Sequence, residues 1–187
     1  MNFIEYSTLA LRTVKWLPEA AKDFEHAQVG MVTELGELFD AWKKVAVHGK
    51  VIDNVNAIEE IGDVFWYVNL LWEAISGTPT ELQLLWDESI KPETMEIISN
   101  AEIDILTDLH VMTSNILAMS LEDTELIKEE LVPYFFAINR LIAATGFDVS
   151  DALDKNIRKL AKRYGDKYSD QAALIRDLEV ERQTLEA

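Results

Sequence analysis

The chain predicts an all-α protein, an antiparallel bundle of long helices. Apolar residues recur near a 3.6-residue period over most of its length, the mark of helices with one buried face. Only seven glycines and four prolines punctuate 187 residues, so the breaks are few and far apart. Apolar residues make up 49% of the chain, enough for a packed core and too many for a disordered one. One domain spanning residues 1–187 is expected at this length.

The elements follow in order. Phe3 to about Trp16 reads as a short amphipathic helix ended by Leu17 and Pro18, since the residue before proline disfavours the helical region. From Glu19 to about Val47, Phe24, Val29, Val32, Leu35, Leu38 and Trp42 keep helical spacing. Gly49 then supplies a stop, and Asp53 or Asn54 caps a helix from about Val55 to Ser76. Gly77, Thr78 and Pro79 end it. Thr80 to Leu121 reads as further helix, with breaks near Lys91-Pro92 and Ser120. Asp123 to Ala144 follows, interrupted or bent at Pro133, which removes a backbone donor. Ser150 or Asp151 opens a helix to Tyr164, and Asp170 to Leu185 reads as a final one. The chain thus divides into a hairpin at 19–77, a helical region at 80–145 and a C-terminal segment at 149–187.

Residues 59–74 align without gaps to 129–144, with Glu59/Glu129, Glu60/Glu130, Phe65/Phe135, Asn69/Asn139, Leu71/Leu141 and Ala74/Ala144 identical. Either an internal duplication of a helical hairpin or the limited alphabet of helices accounts for this. Pro133 stands where the first copy has Asp63, so a duplicated site there lacks a ligand.

Composition narrows the function classes. A formal charge of −17 argues against a nucleic-acid backbone or an anionic membrane as partner. A polyanionic small substrate stays open, because a bound divalent cation inverts the local field. The absence of cysteine removes disulfides, thiolate metal sites and a cysteine nucleophile together. The first residues lack a basic stretch followed by an apolar run, and the apolar run from Val64 to Trp72 is interrupted by Asn69 and too short to span a bilayer. A soluble cytoplasmic protein is the expectation.

Two carboxylate pairs stand out, Glu34/Glu37 and Glu60/Asp63, each spaced i, i+3 so that both acids share a helix face. Large apolar neighbours flank them: Leu35, Leu38 and Trp42 in one helix, Ile61, Val64, Phe65 and Trp66 in the other. Acids beside a core-facing stripe are costly to ionise unless a cation or donors compensate the lost hydration. A lone pair of this kind is usually a solvated helix face. Here two lie on consecutive helices joined by a short loop, which makes antiparallel neighbours and lets the four acids converge. Oxygen ligands alone favour Mg²⁺, with Mn²⁺ as the second choice.

At these residues the chain resembles the all-α nucleoside triphosphate pyrophosphatase superfamily, in its MazG-like branch. The family pattern is ExxE, a spacer, then ExxD; here Glu34 to Glu37 and Glu60 to Asp63 are separated by 22 residues. The words around them are similar too: His26 to Gly30, Glu34 to Asp40, His48 to Lys50 and Glu59 to Tyr67. Asn156 to Gly165, with Tyr168 and Ser169, resembles the segment that follows the catalytic hairpin in short, often phage-encoded members. The chain departs from those members at 80–145, which they lack. The resemblance implies a bundle of the MazG/dimeric-dUTPase type, a homodimer, and Mg²⁺-dependent hydrolysis of a nucleoside triphosphate to a monophosphate and pyrophosphate. It makes Glu34, Glu37, Glu60 and Asp63 the metal ligands and catalytic acids, with a Glu of the first pair as base. Lys159 and Arg163 become candidate phosphate contacts away from the metal, Tyr67 and Asn156 hydrogen-bond donors to phosphate or sugar, and His26 a neighbour of the nucleotide. Base and sugar stay open: dUTP, dCTP, a guanine nucleotide or alarmone, or a phosphoribosyl nucleotide.

Bland readings stand beside these. Lys43, Lys44 and Lys50 read as solvated, and Trp42, Trp66 and Trp72 as core, with base stacking the alternative. A ferritin-like di-iron site is disfavoured, because no His stands three residues after a Glu. A non-catalytic nucleotide- or partner-binding helical protein is the competing function.

Overall fold

A computed structural model describes residues 1–90, 102–175 and 177–186, and every regular element among them is helical. The expected break at Lys91-Pro92 lies outside the described residues. The first helix, α1 (Phe3–Ala10), starts in a capping box in which Asn2 and Glu5 satisfy each other's backbone N–H. It stops well before Trp16. Leu11–Thr13 tighten into a 3₁₀ turn and Val14 is extended. Thr13 Oγ1 donates to the Ala10 carbonyl at 2.7 Å and accepts from Trp66 Nε1 at 2.9 Å, so a tertiary contact ends this helix before Pro18 does.

The long helix α2 (Ala20–His48) ends at Gly49, whose φ of 60° is the left-handed conformation of a C-terminal glycine. After a short loop, Asp53 caps α3 (Asn54–Ala74) by accepting from the Asn56 N–H at 3.1 Å. The two helices pack as an antiparallel hairpin. Two glycines set the close approaches beside the acids. A Cβ on Gly30 would fall 2.1 Å from the Tyr67 ring, and one on Gly62 would fall 2.9 Å from Asn156 Cβ.

Thr78 and Glu81 form the capping box of α4 (Pro79–Ser89), with proline at the first turn, where its missing N–H is harmless. The next hairpin is α5 (Glu102–Leu117) and α6 (Thr124–Thr145); of the interruption or bend expected at Pro133, the interruption is absent, since α6 runs unbroken through it. A capping box of Asp148 and Asp151 opens α7 (Val149–Tyr164). The single final helix expected from Asp170 to Leu185 is instead two, α8 (Asp170–Leu174) and α9 (Leu178–Glu186).

The second hairpin packs its α5 on α2 and its α6 on α3, while α7 lies across α3 and carries α9. Phe3, Phe65, Trp86 and Phe135 meet at the centre of the core with ring centroids 5.3–6.3 Å apart, joining α1, α3, α4 and α6. The apolar stripe of α3 recurs at the aligned positions of α6: Ile61/Leu131, Phe65/Phe135, Val68/Ile138 and Leu71/Leu141 are all buried. The acids do not follow. Glu60 is buried, whereas Glu130 is half-buried and accepts from Asn115 Nδ2 at 2.9 Å. Among the described residues no helix is long and apolar enough to cross a membrane.

Candidate functional site

Three of the four acids meet. Carboxylate oxygens of Glu34, Glu60 and Asp63 lie within 4.8 Å of one another between α2 and α3. Glu37 lines the same cleft but is exposed and stands outside the trio. Glu34 and Glu37 lie one turn apart along α2, and of the two only Glu34 comes close to both α3 acids.

Placing these groups together changes their protonation. Burial pushes the Glu34 carboxyl up to about 7, helped by the charge of Asp63 and opposed by Lys159. Glu60, only 7% exposed, is pushed up to about 9 by burial and then by Asp63 and Glu59. A hydrogen bond with Glu60 acts on Glu34 in the opposite sense, and more weakly. Two of the three acids thus ionise less readily than ordinary carboxylates where no cation compensates them. The donor set fits a hard divalent ion: ligands opposite each other on Mg²⁺ or Ca²⁺ stand roughly 4–5 Å apart, near the observed span.

Asp63 is the most firmly held of the trio. Its Oδ1 accepts from Asn156 Nδ2 at 2.7 Å, and Asn156 Oδ1 in turn accepts from the Tyr6 hydroxyl at 2.8 Å. Its Oδ2 accepts from Lys159, which also pairs with Glu59 Oε1 at 3.2 Å. Lys159 is 1% exposed. Burial disfavours its charge, but Asp63 and Glu59 outweigh that and keep the ammonium protonated. Lys159 was expected to contact phosphate away from the acids; the fold places it among them. Asn156 likewise reaches an acid, and serves to orient it.

The cleft that these acids line has a volume of about 510 Å³. Arg163 lines it, with Nε and Nη2 donating to buried Glu181 of α9 at 2.7 and 2.6 Å. Tyr67 lines it too, its ring edge-on to His26 at 5.6 Å and to Trp66 at 4.9 Å. Burial, and then the charge of Glu34, pushes the Tyr67 phenol up to about 12, so it stays a neutral donor. Of the three tryptophans weighed for base stacking, only Trp66 faces the cleft. Trp72 is core and donates to the Thr78 carbonyl, and Trp42 packs against the core from a separate groove. Lys43 and Lys44 pair with Asp40 on the surface.

Sequence reasoning missed part of the cleft's lining. The rings of Tyr164 and Tyr168 lie there tilted, with centroids 5.4 Å apart, and the Tyr168 N–H bonds the Arg12 carbonyl at 2.9 Å, which brings Thr13 and Lys15 to the cleft. Tyr164 and Tyr168 belong to the segment that resembles the family's C-terminal part, but their spacing alone does not say that both rings reach one cleft. Thr13 and Lys15 carried no signal, because their place depends on the early end of α1. Glu59, Tyr6 and Glu181 were missed for the same kind of reason: their partners are distant in the chain.

No family model, no curated protein and no solved structure matches this chain. The site's chemistry therefore rests on its own geometry: a carboxylate cluster of cation-binding dimensions in a cleft lined also by aromatic rings and cationic side chains.

Proposed function

We propose that this protein is a Mg²⁺-dependent nucleoside triphosphate pyrophosphohydrolase, with a bundle of the MazG/dimeric-dUTPase type. One observation carries the reading: Glu34, Glu60 and Asp63, from two helices, bring their carboxylates within 4.8 Å in the wall of a cleft. The resemblance of the flanking words supports it. When bound there, a hard divalent cation neutralises charge on the phosphate oxygens.

This chain's own residues supply the rest. Asn156 and Tyr6 fix the orientation of Asp63. Glu37 lies on the cleft wall outside the trio and accepts the proton of the attacking water. The anhydride between the α- and β-phosphates is cleaved, releasing the monophosphate and pyrophosphate. Arg163 keeps N–H groups beyond its two bonds to Glu181, and Tyr67 has a phenolic donor; both serve phosphate oxygens. His26 and Trp66 offer ring edges and faces to a planar base. A non-catalytic nucleotide-binding protein is the second reading. It draws on Lys159, which already neutralises part of the cluster without any metal.

The test is pyrophosphate release with Mg²⁺ across ribo- and deoxynucleoside triphosphates. Turnover is expected on at least one nucleotide. Asp63→Ala and Glu37→Ala should each lower it at least about 100-fold, the upper end of what losing a supporting group costs a metal site. Absence of turnover on every nucleotide, with folded protein and Mg²⁺ or Mn²⁺ present, would leave the binding-protein reading.

A further inference from the structure

We propose that Lys159 is a resident counter-ion of the carboxylate cluster, that a divalent cation must displace it from Asp63, and that Glu59 holds the displaced ammonium. The inference rests on reading the trio as a cation site. It adds that loading the site is an exchange of one cation for another.

The geometry points this way at three places. Both oxygens of Asp63 are engaged by donors of α7, Oδ1 by Asn156 and Oδ2 by Lys159. Lys159 is almost wholly buried, so its charge is answered by protein carboxylates and not by water. Its second partner, Glu59, lines the cleft but does not belong to the trio.

An ammonium and a dication repel strongly when both press on one carboxylate at a low local dielectric. The cluster therefore balances its charge with one or the other at Asp63. Glu59 and Asp63 are one turn apart on α3, and Lys159 already reaches both. Releasing Asp63 leaves the ammonium on Glu59 with little movement, which suits a flexible stem with three rotatable donors. Asn156 does not compete in this way: it is neutral, and each carboxylate oxygen has a second lone pair.

Calorimetric titration of Mg²⁺ into metal-stripped protein at fixed pH tests the exchange. Lys159→Met should bind Mg²⁺ at least about tenfold more tightly than the wild type, because the competitor is gone. Lys162→Met removes the same charge from an exposed position of the same helix and should stay within about twofold. Glu59→Gln should weaken binding in the wild-type background and have little effect beside Lys159→Met, because it acts through the lysine. If Lys159→Met does not fold without metal, Lys159→Gln keeps a donor for the two acids and replaces it. Equal or weaker Mg²⁺ binding in the lysine variants overturns the exchange, and so does a Glu59→Gln effect of the same size in both backgrounds. If neither wild type nor variants take up Mg²⁺, the cation-site reading falls and the exchange with it.

Discussion

At the scale of single residues, the acids of the cluster depend on partners both near and far in the chain. The i, i+3 pairs pointed to four acids because a helix fixes which of its own residues share a face, and three of the four meet while Glu37 does not. Lys159 stands 96 residues from Asp63, and nothing in its local sequence says which acid it will meet. The crowding of acids has a consequence for stability. Glu34 and Glu60 ionise higher in the folded chain than the usual carboxylate, at about 7 and about 9, mainly through burial. The folded state therefore binds more protons than the unfolded state between the ordinary carboxylate range and about 9. By linkage, the stabilisation from these two groups is complete at acidic pH and is lost as pH rises through 7 and then 9. A loss of roughly 2 kcal/mol would lower the melting temperature of a chain this size by about 4–8 °C. Melting of metal-stripped protein at pH 6 and pH 9 should show the fall, and Glu60→Gln, which mimics the protonated acid, should flatten it. A melting temperature that rises over this interval in the wild type would contradict the burial of these carboxyls.

Among the elements, boundaries set by local chemistry were legible: the glycine stop at Gly49, the cap at Asp53 and the end at Tyr164 fall where the sequence placed them. The misses come from tertiary contacts. The first helix ends early because Thr13 meets Trp66 and Arg12 meets Tyr168, and neither contact leaves a mark in residues 3–16. The shared stripe of α3 and α6 shows what the aligned segments have in common, a core-facing surface, and Pro133 in place of Asp63 shows what they do not. Two glycines of α2 separate helix propensity from packing. Gly36 has no neighbouring heavy atom within 4 Å of an added Cβ, whereas Gly30 lies against the Tyr67 ring. Gly36→Ala should stabilise by up to about 1 kcal/mol, the difference in helix propensity. Gly30→Ala gains the same propensity but must push the ring aside, and overpacking of this kind costs about 1–3 kcal/mol. Chemical denaturation of both variants checks the contrast, and equal stabilisation by the two would show that α2 and α3 are not in close contact at Tyr67.

The whole molecule was legible as all-α from periodicity and from the scarcity of breakers. Its cleft was not, since five separate segments build it. The molecule carries 34 acidic against 17 basic residues, and part of that excess is gathered in one wall of the cleft. Two effects of added salt follow, and they separate cleanly. Any salt screens the general repulsion of a net charge of −17 and stabilises the fold modestly. A divalent cation that binds the trio adds a site-specific term, worth about 2.7 kcal/mol at a hundredfold excess over its dissociation constant. For a chain of this length that is about 5–11 °C in melting temperature. About 5 mM MgCl₂ and about 15 mM NaCl have equal ionic strength, so both screen alike and only the first can fill the site. The magnesium salt should therefore raise the melting temperature well beyond the sodium salt. Asp63→Asn should abolish the difference while keeping the response to NaCl. Equal shifts from the two salts in the wild type would mean that the acids act only as a diffuse field, and the carboxylate cluster would lose its standing as a cation site.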